Sequence, residues 1–187
     1  MHWILTWKKF RQNKRKPQNR KSMAVKNEFV ITRVFNAPRK LVFDAFTQAE
    51  HLKHWWGPKG VSVKIYKLEV KPGGIFHYSM TNPDGSVLWG RFTFQEIDSP
   101  GRLTFLNAFS DEKGNIAPAP FDPTFPEQVL NEWTFTEQNG KTTVHLKATA
   151  FNASAESQKS FENLFSSMVE GYGGMFDVFE SYLKQVK

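Results

Sequence analysis

The sequence predicts an α+β domain in which a curved antiparallel sheet grips a long C-terminal helix. Three observations carry this. The apolar period changes from helical to two at Val61 and returns in successive segments as far as Ala150. Turn signals punctuate that stretch at short intervals. From Phe161 to Leu183 the apolar residues step at helical spacing and form one broad face.

In chain order, Phe29 to Phe35 is rich in β-branched and aromatic residues and ends at Asn36-Ala37-Pro38, which predicts a strand. Pro38 suits the start of a helix, and Leu41, Val42, Ala45 and Phe46 then recur at helical spacing. Thr47 to Glu50 has the pattern of a capping box. It predicts a second short helix with His51, Leu52 and Trp55, stopped by Gly57-Pro58. A meander of six strands follows. Val61, Val63 and Ile65 alternate with polar residues, and Lys71 to Gly74 turns the chain into a strand with Phe76, Tyr78 and Met80 on one face. Asn82 to Gly85 leads to Val87–Ile97, where Phe92 and Phe94 share a face, and Ser99 to Gly101 leads to Leu103–Phe105. Asn139-Gly140 between Val129–Phe135 and Thr143–Ala150 is the strongest hairpin signal in the chain.

Residues 111–126 carry Pro118, Pro120, Pro123 and Pro126 interleaved with Phe121 and Phe125, a long loop expected to fold back onto apolar surface. The last element joins Phe161 to Leu183 in one helix that buries its aromatic and methionine stripe against the sheet. Gly171, Gly173 and Gly174 interrupt it at a cost of about 1 kcal/mol each relative to alanine. A bend, a close backbone approach or space for a ligand would account for them.

Composition narrows the function. The 187 residues suit one core, and 40% hydrophobic residues with 18 Phe and 6 Trp exclude a disordered chain. No window has the roughly 18 uncharged apolar residues of a membrane span. Zero cysteine excludes disulfides, thiol nucleophiles and cysteine-ligated metals, and fits a reducing, cytoplasmic compartment. The net charge of +7 suggests a nucleic-acid binder until the charges are placed. Residues 1–22 hold eight cations and no acid, leaving 17 cations against 18 acids elsewhere. The near-neutral body has no footprint for a phosphate backbone, so no specific nucleic acid is expected. Residues 1–22 read as a basic, disordered extension, and residues 23–187 as a single domain. The extension has the charge of a transit peptide or basic arm but not the order of a secretory signal.

The chain lacks a Gly-x-Ser-x-Gly elbow, a P-loop and a dinucleotide Gly-x-Gly-x-x-Gly motif. His51 and His54 stand one helical turn apart with only Glu50 nearby, too few ligands for a metal. Neither a metal nor a cofactor is expected. General acid/base work would fall to His77, His145 or Glu132, each of which strand alternation also places on an outer face.

Asn36 to Thr47 (NAPRKLVFDAFT), His54 to Pro58 (HWWGP), Pro72-Gly73-Gly74, Met80 to Gly85 (MTNPDG), Gly90 to Ile97 (GRFTFQEI) and the closing helix resemble the activator-of-heat-shock-protein-90-ATPase homologue family of the START-like, or SRPBCC, superfamily. The resemblance runs from about Glu28 to Val186. It implies the helix-grip (START/Bet v-like) fold, with an apolar cavity between sheet and C-terminal helix in which superfamily members hold hydrophobic molecules. Two departures stand out. Relatives that stimulate the chaperone carry a separate N-terminal domain, for which the 22 residues here are too few, and many relatives have Gly-Trp where this chain has Gly171-Tyr172.

On the helix-grip frame, Phe76, Tyr78, Met80, Phe92, Phe94, Phe105, Trp133, Met168, Tyr172 and Phe176 are the candidates to line the cavity. Any one alone reads first as an ordinary core residue; the set points to a lined interior. The Tyr78 and Tyr172 hydroxyls would orient a ligand, whereas alternation sets His77 and Arg91 on a solvated face. Trp55 and Trp56 are expected to pack beneath the Gly57-Pro58 turn, with the pair a further candidate to border the cavity mouth. The expected function is binding of a small hydrophobic molecule. The alternatives are a cyclase- or dehydratase-like enzyme with an ionisable group in the same cavity, and a chaperone-partner module acting through its surface with a filled interior.

Overall fold

The computed structural model describes residues 27–186. The basic extension expected over residues 1–22 lies outside the described residues. Strand β1 (Glu28–Phe35) leads through the Asn36-Ala37-Pro38 turn to helix α1 (Arg39–Thr47) and helix α2 (Ala49–Trp55). The meander comprises β2 (Ser62–Leu68), β3 (Ile75–Thr81), β4 (Val87–Asp98), β5 (Arg102–Phe109), β6 (Val129–Gln138) and β7 (Lys141–Ala150), followed by α3 (Ala155–Glu162) and α4 (Phe165–Val186). All seven strands form one antiparallel sheet in the order β1-β7-β6-β5-β4-β3-β2, with the first strand closing against the last. The six-strand meander and the Asn139-Gly140 hairpin appear as the sequence predicts. Both hairpin residues have positive φ, 52° and 70°, the geometry that a two-residue turn between twisted strands requires.

Two local expectations are corrected. Thr47 does not open a capping box: its hydroxyl donates back to the Phe43 carbonyl at 2.9 Å, and Gln48, in extended conformation, separates α1 from α2 with no side-chain cap. The hydroxyl is thus already committed to the preceding turn. The apolar stripe from Phe161 to Leu183 runs over two helices, because the chain tightens at Leu164, whose N–H bonds the Phe161 carbonyl. Phe161 and Phe165 remain edge-to-face across that break, 5.2 Å apart.

The core is aromatic and lies between the sheet, α1, α2 and the C-terminal half of α4. Phe46 meets Trp55, Trp133, Phe135 and Phe179 at ring separations from 4.5 to 5.3 Å, edge-to-face throughout. Trp55 is fully buried there and donates its indole N–H to the Ala45 carbonyl at 3.0 Å. The buried Thr142 hydroxyl donates to the Ala37 carbonyl at 2.7 Å and ties the β1–α1 turn to β7. On the other side, Arg33 of β1 pairs with Asp177 and Glu180 of α4, holding the helix against the edge strand.

Candidate ligand-binding cavity

The inner face of the sheet has a filled end and a hollow end. Along each central strand the inward positions step from large to small in the same direction: Phe92 to Gly90, Phe105 to Asn107, Trp133 to Asn131, Leu146 to Ala148. The registers Trp133↔Leu146 and Asn131↔Ala148 bring two of these steps side by side. Large side chains fill the end beneath α1 and α2. The small ones leave a partly enclosed cavity of about 210 Å³ under α3 and the N-terminal half of α4.

Of the residues expected to line an interior, Tyr78, Met80, Met168 and Tyr172 border this cavity. Phe76, Phe92, Phe94, Phe105, Trp133 and Phe176 do not; they are buried in the filled end. Phe92 stacks on Phe105 at 4.1 Å, and Trp133 packs against Phe105, Tyr172 and Phe176. Trp56 lines the cavity from the loop after α2, as do Gly57, Pro58 and Val61. The opposite wall comes from the proline-rich loop. Phe121 and Phe125 pack against each other and against Phe109, and Phe125 reaches Phe161 of α3. The Ser160 hydroxyl donates to Asp122 at 2.8 Å, fastening that loop to α3.

Sequence reasoning passed over Gly90, Asn107, Asn131, Ala148 and Met175, all of which border the space, as does Gly171, one of the glycines that space for a ligand would account for. The signal available for most of them was smallness: a cavity is marked by where bulk stops along an inward-facing row. Gly173 and Gly174 have open space where a Cβ would stand, so neither is required by close packing.

The polar groups of the cavity are few. Tyr78 lies flat over Gly90, its register partner, stacked on Phe76 at 4.7 Å. Tyr172 stacks on Phe29 at 5.6 Å. Neither hydroxyl has a hydrogen-bond partner within the described protein. Burial pushes the Tyr78 hydroxyl up to about 12, an effect the nearby Trp56 indole partly offsets. Burial raises Tyr172 further, with the charge of an ionised Tyr78 adding to it. The Trp56 N–H lies beside the Tyr78 oxygen outside hydrogen-bond geometry, and so remains buried without a partner. The Asn131 amide is engaged, donating to the Val129 carbonyl at 3.1 Å and facing the Trp133 N–H at 3.5 Å. No lysine, arginine, histidine, aspartate or glutamate is among the described residues that line the cavity.

The acid/base candidates lie elsewhere. His145 meets Thr32 at 2.9 Å on the exposed side of the sheet, and Glu132 pairs with Arg102 and Lys147. His77 points away from the cavity, as alternation requires, but is not solvated. It is 6% exposed, held between Tyr66 and Trp89 and covered by the loop at Asp111, whose carbonyl lies 3.2 Å from Nε2. Arg91 fixes the same loop by donating to the Gly114 carbonyl at 2.6 Å. A loop folded onto the outer face is what alternation within one strand cannot register.

A single antiparallel sheet that closes on a C-terminal helix around an internal apolar space defines a helix-grip protein of the START-like, or SRPBCC, class. Within that class the chain belongs to the family described as Activator of Hsp90 ATPase homolog 1-like protein, whose model matches residues 36–184. Among solved structures, a protein from Mycobacterium smegmatis is 28% identical with a TM-score of 0.69, covering 83% of this chain and 90% of its own. One from Staphylococcus epidermidis is 25% identical with a TM-score of 0.68 over 90% and 96%. One from Arthrobacter aurescens is 25% identical with a TM-score of 0.71 over 84% and 86%. A comparison with curated proteins gives no match. No helix among the described residues is long and apolar enough to cross a membrane.

Proposed function

We propose that this protein binds a small, largely apolar molecule in the cavity between the sheet and α4. The observation that carries this reading is the hollow end itself: an apolar space of about 210 Å³ beside a densely packed aromatic core, with two unpartnered tyrosine hydroxyls on its wall. Cores of this density leave few voids larger than a water molecule, so a space of this size needs an occupant or a reason. Scaled from benzene in a cavity of about 150 Å³, it accepts roughly eight to ten non-hydrogen atoms. Apolar burial drives the affinity, and a ligand of that size reaches about micromolar dissociation constants when well fitted.

A chaperone-partner module needs no hollow interior, and the cavity therefore supports the ligand reading over it. A cyclase-like reaction needs a base or acid that titrates near neutrality. The cavity wall offers two tyrosines held protonated, which serve as hydrogen-bond donors rather than as bases. Zero cysteine supports a cytoplasmic site of action for this single domain.

Native mass spectrometry of the purified protein tests the reading, together with thermal shift across a panel of small lipophilic compounds. A stoichiometric apolar adduct that departs on denaturation, or a saturable rise in Tm, is expected. No adduct together with no shift would transfer the reading to the surface module.

A further inference from the structure

The donors of the cavity wall specify the ligand more narrowly, a specification that rests on the ligand-binding reading. Tyr78 on β3 and Tyr172 on α4 border the cavity from the sheet and from the helix, and neither hydroxyl is in hydrogen-bond geometry with another group of the described residues. Beside Tyr78, the Trp56 indole N–H is buried and also unpartnered, in a side chain 6% exposed. An indole N–H only donates. Lying beside the Tyr78 oxygen, it opposes a phenolic O–H turned towards the indole and favours one turned towards the cavity. The wall therefore offers two O–H donors and an N–H donor, and no carboxylate to receive them. The amides of Asn82, Asn107 and Asn131 each bring donors together with an acceptor, so they do not alter this balance. A buried donor left unmade is costly, and a ligand that satisfies it gains what the apo wall lacks. No cationic side chain lines the cavity to neutralise an anion, and transferring a carboxylate into such a space is strongly unfavourable.

We propose that the cavity selects a neutral, ring-sized molecule carrying one hydrogen-bond acceptor, such as a ketone, ester or nitro group, held by the hydroxyls of Tyr78 and Tyr172. The ring fills the apolar space between Met80 and Met168, and the acceptor sits between the two tyrosines. Gly90 is the positioning residue. Only a residue without a Cβ lets the end of the Tyr78 ring and its hydroxyl lie this close to β4.

Ligand-observed NMR titration with acetophenone, ethylbenzene and benzoate tests this on the full chain and on Tyr78→Phe, Tyr172→Phe and the double variant. Phenylalanine keeps the ring and removes only the hydroxyl, so the fold is retained and is checked by Tm. Acetophenone is expected to bind at least tenfold tighter than ethylbenzene, with benzoate undetected. The double variant should bring acetophenone down to the level of ethylbenzene and leave ethylbenzene unchanged. Equal binding of acetophenone and ethylbenzene, or benzoate binding best, overturns the acceptor inference while leaving the ligand-binding reading intact. Failure of all three probes counts against both.

Discussion

Gly90 and Tyr78 are partners across the β3–β4 ladder, and the Tyr78 ring covers the glycine so closely that a Cβ at position 90 would stand 2.6 Å from both its Cζ and its Oη. The clash is with the far end of a side chain, which gives way by swinging towards the cavity it borders. Gly90→Ala is therefore expected to fold, to lose about 1 to 3 kcal/mol from strain, and to weaken ligand binding at least tenfold. Chemical denaturation and titration of the same samples check the two effects. Unchanged affinity in a folded Gly90→Ala protein would separate Tyr78 from the ligand.

The two ends of the sheet should respond oppositely to added bulk. Ala148 borders the cavity, so Ala148→Leu fills vacant space and is expected to change stability by no more than about 1 kcal/mol while abolishing binding. Trp133, 1% exposed in the filled end, has no such latitude. Trp133→Ala should cost about 3 to 5 kcal/mol. Paired denaturant curves distinguish them, and a severe loss in Ala148→Leu would mean that the cavity is not open to a side chain.

Titration to high pH reports on the buried tyrosines. The folded state holds Tyr78 and Tyr172 protonated above the ordinary tyrosine value near 10, so the unfolded chain ionises first as pH rises. Their contribution to stability is complete below about pH 10 and is lost as pH climbs towards and past about 12. Tyrosinate absorbance should show both ionising late, at or with unfolding. A bound acceptor ligand should delay them further, and early titration of Tyr78 would contradict its burial.

Thr142 is a structural hydrogen bond with a clear penalty. Its hydroxyl is fully buried and satisfies the Ala37 carbonyl where β1 turns into α1. Thr142→Val keeps the shape, leaves that carbonyl without its donor, and is expected to cost about 1 to 3 kcal/mol with little change in ligand affinity. Denaturation midpoints and titration together check this.

The contact of Arg33 with Asp177 and Glu180 is partly exposed, and a small effect is expected. Arg33→Met should lower stability by no more than about 1 kcal/mol at low salt, and the difference should shrink as salt rises. Thermal melts at two ionic strengths measure it.

The sequence by itself determined the element order as far as the last strand, the six-strand meander, the Asn139-Gly140 hairpin and the apolar face of the C-terminal segment, though not its division into two helices. These follow from local periodicity and turn chemistry, which neighbouring residues carry whatever the rest of the chain does. The family was legible as well, through motifs contiguous in sequence. The tertiary structure alone decided which inward-facing residues fill space and which border it. Phe92 and Tyr78 have the same alternation and the same aromatic character, yet one packs solidly against Phe105 and the other lies open to a cavity. The difference is set by what stands opposite: bulk from α1 and α2 at one end, and Gly90, Asn131 and Ala148 at the other. His77 shows the same limit on the outer face, where the Asp111–Gly114 loop, distant in sequence, buries a position that alternation assigns to solvent. Periodicity names the face of a strand; only the partners brought to that face from elsewhere in the chain set whether it is packed, hollow or covered.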